Sequence, residues 1–384
     1  MLWKPSGAYG ALFPYVLLSS KKRGEIDAPI YVSQVANFEV PGKKDWVWML
    51  NKSLYGTKQA PRQWRAHLVD SFKQLGLSAC DSDESLFFNR DKDLFIHIHI
   101  DDGLIVGSFK EKIQSILLGL QKTYKLKTQE MPKQHLGYTF SWLKDGLILH
   151  QADFCKKIIE EFRMETANSI KTLVPLTKAI GMLTYLALHT RPDIAFTVNL
   201  LSQHVNAPTV AQWQLVKHLL RYLCGTMSTG IKFTRNDSSV TNLVGWADAD
   251  YGNSALTKKL TSGFVITLYG NPISWCTKKQ PIMAQSTTKE EFVAINKCAK
   301  QLRWLSMLLT LIGLKTGIPT ILNDNRGAVF IAEEAQLNQN SKHIEIRFQY
   351  VRDMFLPSST QTHLLKGIAI DNIKTRISEE ETSG

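Results

Sequence analysis

The 384 residues carry 46 Lys and Arg against 34 Asp and Glu, a net charge of +12, and 44% of them are apolar. This composition fits a globular chain of two or three domains, and no apolar run reaches the roughly 18 residues of a spanning helix, which excludes an integral membrane protein. Five scattered cysteines (Cys80, Cys155, Cys224, Cys276, Cys298) with no CxxC pair argue against a disulfide framework and a zinc site, while the basic surplus favours a polyanion partner.

Residues 1–24 show no element pattern, and the run from Ala8 to Leu18, broken by Pro14 and followed by Lys21, Lys22 and Arg23, reads as neither anchor nor leader. A short strand is predicted at 30–32. Apolar spacing at Trp64, Leu68, Phe72 and Leu75, closed by Gly76, predicts a helix. From Phe95 the pattern alternates, with Ile96, Ile98 and Ile100 on one side and His97 and His99 on the other, which predicts a strand with one buried face. Asp101-Asp102-Gly103 then reads as the turn and Leu104-Ile105-Val106 as the returning strand. A helix bearing Ile113, Ile116, Leu117 and Leu120, a hairpin at Lys144-Asp145-Gly146 and a helix with Phe154, Ile158 and Phe162 follow. The polar stretch 164–172 and Pro175 mark a boundary. Residues 177–230 read as helices interrupted at Thr190-Arg191-Pro192-Asp193. Strands are predicted at 243–247, 263–269 and 272–277, a long helix at 288–312, a strand at 319–323, helices at 326–334 and 344–355, a strand near 361–365 and a last helix from about 369. The fold class is therefore α/β (α+β), ending in a mixed sheet with flanking helices.

Two groups of carboxylates stand out. Asp101 and Asp102 form a pair that invites a divalent cation, although Asp-Gly is equally a favoured hairpin tip. Asp248 at a strand end, Glu291 near a helix start, Asp324 ahead of a helix and Asp371 in the final helix come in the order strand, helix, strand, helix. Four acids so ordered could hold two metal ions for hydrolysis of a phosphodiester, while each alone also fits a turn or a helix cap.

The blocks Leu54-Tyr55-Gly56-Thr57-Lys58-Gln59-Ala60-Pro61-Arg62 with Trp64, and His99-Ile100-Asp101-Asp102, resemble the SLYGLKQAPR.W and YVDD segments of copia-type LTR-retrotransposon Pol polyproteins. Thr190-Arg191-Pro192-Asp193 and Arg221-Tyr222-Leu223-Cys224-Gly225-Thr226 resemble the segments between that family's two catalytic domains. Ala247-Asp248-Ala249-Asp250, Ile273-Ser274-Trp275, Lys278-Lys279-Gln280-Pro281, Ser286 to Glu291, Asp324-Asn325 and Lys342-His343-Ile344 resemble its ribonuclease H domain.

The resemblance implies an unassigned segment 1–24, a truncated reverse transcriptase palm and thumb over 25–172, a helical connection over 173–238 and a ribonuclease H-like domain over 239–384. It implies metal ligation by Asp101 and Asp102, and a nucleotide pocket shaped by Tyr55, Gly56, Gln59 and Pro61. It also implies two Mg2+ or Mn2+ ions at Asp248, Glu291 and Asp324, with Asp371 or Glu345 as the fourth ligand. Lys258, Lys259, Lys278, Lys279 and Lys342 would contact phosphates of an RNA–DNA hybrid or other nucleic acid, in the cytoplasm or nucleus and away from membranes. The family's first polymerase aspartate lies in a DVKTAFLNG block that residues 1–23 do not match, His99 replaces the tyrosine of YVDD, and Lys289 stands in place of a glutamate. Loss of polymerase activity is the expected result. Two functions stay open: a ribonuclease H, or a catalytically dead nucleic-acid-binding relic.

Overall fold

The computed structural model describes residues 13–20, 29–38, 40–43, 46–51, 60–100, 102–162, 175–206, 209–235, 243–250, 261–280, 287–314, 317–333 and 363–366. The chain divides into two compact units, Trp3–Pro132 and Lys133–Gly384, the latter together with Met1–Leu2.

The first unit runs β1 (Phe13–Ser20), a hairpin of β2 (Tyr31–Ser33) and β3 (Val47–Met49), α1 (Ala60–Gln74), β4 (Leu77–Ala79), β5 (Leu86–Asn89), β6 (Leu94–His99), β7 (Asp102–Gly107), α2 (Lys110–Gln121) and β8 (Lys125–Glu130). α1 begins with Pro61 in its first turn, where a missing N–H costs nothing, and stops at Gly76, whose φ of 77° few other residues adopt. Its Leu68 and Phe72 pack with Leu94 and Ile96 of β6, Ile105 of β7 and Ile113, Leu117 and Leu120 of α2. Removing side chains of this size from water stabilises the unit by about 1.5–3 kcal/mol each.

Strand order in this sheet is β4-β5-β6-β7-β1-β8. Residues 13–20, which show no element pattern in the sequence, thus form a strand antiparallel to both β7 and β8. The apolar run beginning at Phe13 and containing Pro14 carries neither helical nor alternating periodicity, so nothing local announces it.

The hairpin apex also differs from expectation. His99 faces Asp102 across the ladder, so only positions 100 and 101 lie between the strands, and Asp102 and Gly103 belong to β7. Register here is fixed by the helix-covered face, since slipping one residue would turn Ile96 and Ile105 outward. Ile100 is therefore not on the buried face; it is 59% exposed at the turn with φ of 56°. That conformation costs an L-residue about 1–2 kcal/mol. The Trp64 indole N–H donates to the Ile100 carbonyl at 3.3 Å and braces the turn from α1.

The second unit opens with β9 (Gln134–His135), β10 (Tyr138–Trp142) and β11 (Gly146–His150), which join the later β12 (Ile231–Thr234) in a sheet ordered β12-β11-β10-β9. Between them lie α3 (Ala152–Glu161), α4 (Pro175–His189), a short 3-10 turn at Pro192–Ile194, α5 (Ala195–Ser202) and α6 (Val210–Gly225). The interruption read at Thr190 to Asp193 has a structural cause. Arg191, 1% exposed, pairs with Asp193 through Nε and Nη2 at 2.7–3.1 Å and donates to the Thr226 carbonyl and hydroxyl at 2.7 and 2.8 Å, while the Tyr222 hydroxyl donates to Asp193 at 3.0 Å.

β13 (Leu243–Asp250), β14 (Thr261–Leu268), β15 (Asn271–Lys279), α7 (Thr287–Leu311), β16 (Thr320–Asn323), α8 (Arg326–Glu333) and β17 (His363–Lys366) complete the described chain. They make a mixed sheet ordered β15-β14-β13-β16-β17, antiparallel among the first three strands and parallel from β13 to β16 to β17. The predicted helices at 344–355 and from about 369 lie outside the described residues. Side chains of β15 tie this sheet to the preceding elements: the Trp275 indole donates to the Ala187 carbonyl at 2.7 Å, Asn271 exchanges hydrogen bonds of 2.8 and 3.0 Å with the Thr234 backbone, and Lys279 donates to Gln203 Oε1 at 2.7 Å.

Candidate metal centre

β13 and β16 run parallel, so their C-terminal ends share one edge, and these ends carry Asp248 and, one residue past β16, Asp324. The third acid arrives on α7. Ile295, Cys298, Leu302, Leu305 and Leu309 form its buried stripe at steps of three and four, and Glu291 begins that stripe one turn earlier. A helix face selected for burial therefore carries Glu291 toward the sheet. The approach is close: a Cβ on Gly245 of β13 would fall 2.4 Å from Cys298 Sγ and 3.0 Å from a Leu302 methyl carbon. Only a residue without a side chain lets α7 lie this near to β13.

The outcome is that one carboxylate oxygen each from Asp248, Glu291 and Asp324 lies within 4.8 Å of the other two. Asp248 is half-buried, Glu291 buried and Asp324 exposed. Burial, together with the charges of Asp248 and Asp324, pushes the Glu291 carboxyl up to about 7, against the opposing pull of hydrogen bonds from the Asn323 side chain and the Ala249 backbone. Three acids held in mutual repulsion, with oxygen donors only, fit a hard divalent cation, and these residues could hold one.

Polar side chains brace the centre. Asn323 donates from Nδ2 to the Ala247 carbonyl at 2.8 Å and to Glu291 Oε2 at 3.0 Å, and accepts at Oδ1 from the Asn325 N–H at 3.0 Å. Asn325 in turn caps α8 by accepting from the Ala328 N–H at 3.0 Å. Gln280, 2% exposed, donates to Ser262 Oγ at 2.9 Å and to the Glu290 carbonyl at 3.1 Å, joining β14 to the first turn of α7. Sequence reasoning missed Asn323, because an Asn beside an Asp at a strand end carries no signal beyond a turn.

Of the other sequence-derived residues, Asp102 lies in β7 of the first unit and Pro61 is exposed in the first turn of α1. Lys278 and Lys279 end β15, and Lys279 donates to Gln203 Oε1 at 2.7 Å. Asp101, Tyr55, Gly56, Gln59, Lys258, Lys259, Lys342, Glu345 and Asp371 lie outside the described residues. Among the described helices, none is long and apolar enough to cross a membrane.

Residues 17–178 match the family model described as reverse transcriptase (RNA-dependent DNA polymerase). The chain is 31% identical over 360 residues to the retrovirus-related Pol polyprotein from transposon TNT 1-94 of Nicotiana tabacum, covering 86% of this chain and 27% of that one. It is also 31% identical over 352 residues to the counterpart from transposon RE1 of Arabidopsis thaliana, covering 86% of this chain and 24% of the other. The chain thus spans about a quarter of the length of these relatives. A solved foamy viral protease–reverse transcriptase in complex with double-stranded DNA aligns over 93% of this chain and 59% of its own at 11% identity, with a TM-score of 0.24, too low to establish a shared fold. From the ordered motifs and the matched relatives, the chain belongs to the copia-type retrotransposon Pol polyproteins, over a region that contains their reverse transcriptase domain.

Proposed function

We propose that this chain is an RNA–DNA hybrid endonuclease of ribonuclease H type whose polymerase activity has been lost. The observation that carries the reading is the meeting of Asp248, Glu291 and Asp324, 76 positions apart at the extremes, within 4.8 Å. In this reading residues 25–172 belong to a reverse transcriptase palm and thumb, 173–238 to a helical connection and 239–384 to a ribonuclease H-like domain.

The residues fit Mg2+ or Mn2+, which when bound in a pair supply Lewis acidity to the attacking water and to the leaving oxygen. Asp248, Glu291 and Asp324 would hold the ions, with Asp371 as the fourth ligand. Glu291, buried at the start of α7, would give up its proton on ligation. Lys278, Lys279, Lys258, Lys259 and Lys342 would neutralise backbone phosphates of the hybrid and set its register, without reading sequence. The +12 charge supports a polyanionic substrate.

Loss of polymerase activity is supported in the first unit. β1, the strand beside β7, reads Phe-Pro-Tyr-Val-Leu-Leu-Ser-Ser and carries no acid, and the position register-paired with Asp102 is Leu18. Among the described residues, β1 therefore offers Asp102 no bridging carboxylate of the kind that a two-metal polymerase site needs.

Incubating the full chain with an RNA–DNA hybrid and Mg2+ tests the proposal. Cleavage of the RNA strand that disappears in Asp248→Asn is expected. Hybrid binding with a steep salt dependence but no Mg2+-dependent cut would reject the nuclease and leave the binding relic in its place.

A further inference from the structure

Asn323 is the last residue of β16 and only 2% exposed, yet its side chain meets polar groups on three different segments. Nδ2 reaches the carbonyl of Ala247, the residue before Asp248, and Oε2 of Glu291; Oδ1 receives the N–H of Asn325, the residue after Asp324. All three contacts fall between 2.8 and 3.0 Å. The amide can sit only one way round. Turned by 180°, its oxygen would face a carbonyl and a carboxylate, and its NH2 group would face a donor.

Other side chains of similar size fail at this position. Aspartate would set an acceptor against two acceptors. Leucine would leave a buried carbonyl and one carboxylate oxygen without these donors, at a cost of a lost buried hydrogen bond each. Serine is too short to span both acceptors, and its single O–H can serve only one of them. The match between a primary amide and this surrounding is therefore specific, and it joins each of the three elements that present an acid.

We propose that Asn323 is a positioning residue of the metal centre: it holds the Glu291 carboxylate by one oxygen and fixes the backbone beside both Asp248 and Asp324. This rests on the metal-binding reading above. Glu291 has three rotatable side-chain bonds, and a long acid at a helix start does not by itself stay in the one orientation that ligation needs. The hydrogen bond supplies that constraint in advance of the cation, in the way that outer partners orient metal ligands elsewhere. Because the same amide holds the Ala247 carbonyl, a shift of α7 relative to β13 would break it, so the side chain also couples Glu291 to Asp248.

Titration of the intact chain with Mn2+, followed by the loss of the free-ion paramagnetic resonance signal at a temperature well below melting, tests the role without using activity. Wild type is expected to bind saturably, and Asp248→Asn to abolish that binding. Asn323→Ala is expected to weaken Mn2+ affinity by about 10-fold or more, and Asn323→Ser to do likewise if the alanine variant does not fold. Hybrid cleavage by either variant should recover toward the wild-type rate as Mg2+ is raised. Thr209→Ala, which removes the capping box of α6 far along the chain from the centre, serves as the destabilised control and should retain the wild-type affinity.

Unchanged affinity in both Asn323 variants overturns the role while leaving the metal centre standing. Equal loss in Thr209→Ala overturns it as well, since general destabilisation would then account for the effect. A wild-type chain with no Asp248-dependent Mn2+ binding overturns the centre and the role together.

Discussion

Acidic residues occur in both halves of the molecule in settings that differ sharply. In the first unit Asp102 follows a two-residue turn and pairs in register with His99 on one side and Leu18 on the other, with no acid in the neighbouring β1. In the second unit three acids from two parallel strand ends and a helix close to within 4.8 Å, and an amide ties their supports together. The contrast teaches that a motif in sequence is a weaker guide to chemistry than the company its side chains keep. Among the described residues, the adjacent-acid motif brings no third carboxylate into the neighbouring strand, whereas dispersed acids with unremarkable local contexts converge.

The comparison is broken most directly by activity. A single preparation is expected to cleave hybrids and to show no primer extension above background, and Asp248→Asn should reduce cleavage by more than about 100-fold, beyond what loss of an outer partner usually costs. Extension in the absence of cleavage would invert the assignment. Next in size is stabilisation by metal. Mg2+ at 100 times its dissociation constant should raise unfolding free energy by about 2.7 kcal/mol in wild type and by nothing in Glu291→Gln, read as a shift in melting temperature. That gain should shrink as pH falls below about 7. The proton on Glu291, whose carboxyl is raised to about 7 in the free chain, then competes with the cation, so affinity is lost on acidification and restored above that pH.

A smaller effect is expected from packing. Gly245→Ala places a Cβ 2.4 Å from Cys298 Sγ and should destabilise the second unit by about 1–3 kcal/mol, with weaker Mn2+ binding because α7 must retreat with Glu291. Denaturant unfolding and metal titration of the variant check both parts. The smallest expected change lies in the first unit. Ile100→Gly relieves a residue at φ of 56° and should stabilise that unit by up to about 1 kcal/mol, leaving hybrid cleavage at the wild-type rate.

The second unit was the more legible of the two. Its strands, the long helix and the order of Asp248, Glu291 and Asp324 follow from periodicities that burial imposes, and α7 at Thr287–Leu311 lies within a residue of the span that spacing predicts. Glu291 could be suspected because it stands in line with Ile295 and Cys298, where an apolar residue would be the ordinary choice. The turn at Ile100 was less accessible. Asp102-Gly103 is a strong local turn signal, but the buried alternation of β6 and β7 sets the register and overrides it. Asn323 was invisible for another reason, and Gln280 stood in a motif without a role of its own: their contacts reach acceptors 76 and 10 positions away, which no local pattern encodes. The compact units meet at 132 and 133, within the segment 25–172 that the family resemblance treats as one piece.

β1 bears on how the first unit can be cut. Because it alone bridges β7 and β8, trimming the chain back to residue 21 would strip both flanking strands of their mates at once. Two raw ladders would then be laid bare, ready templates for foreign chains, so an expression fragment begun there invites precipitation where one that retains Phe13 onward keeps its seam closed.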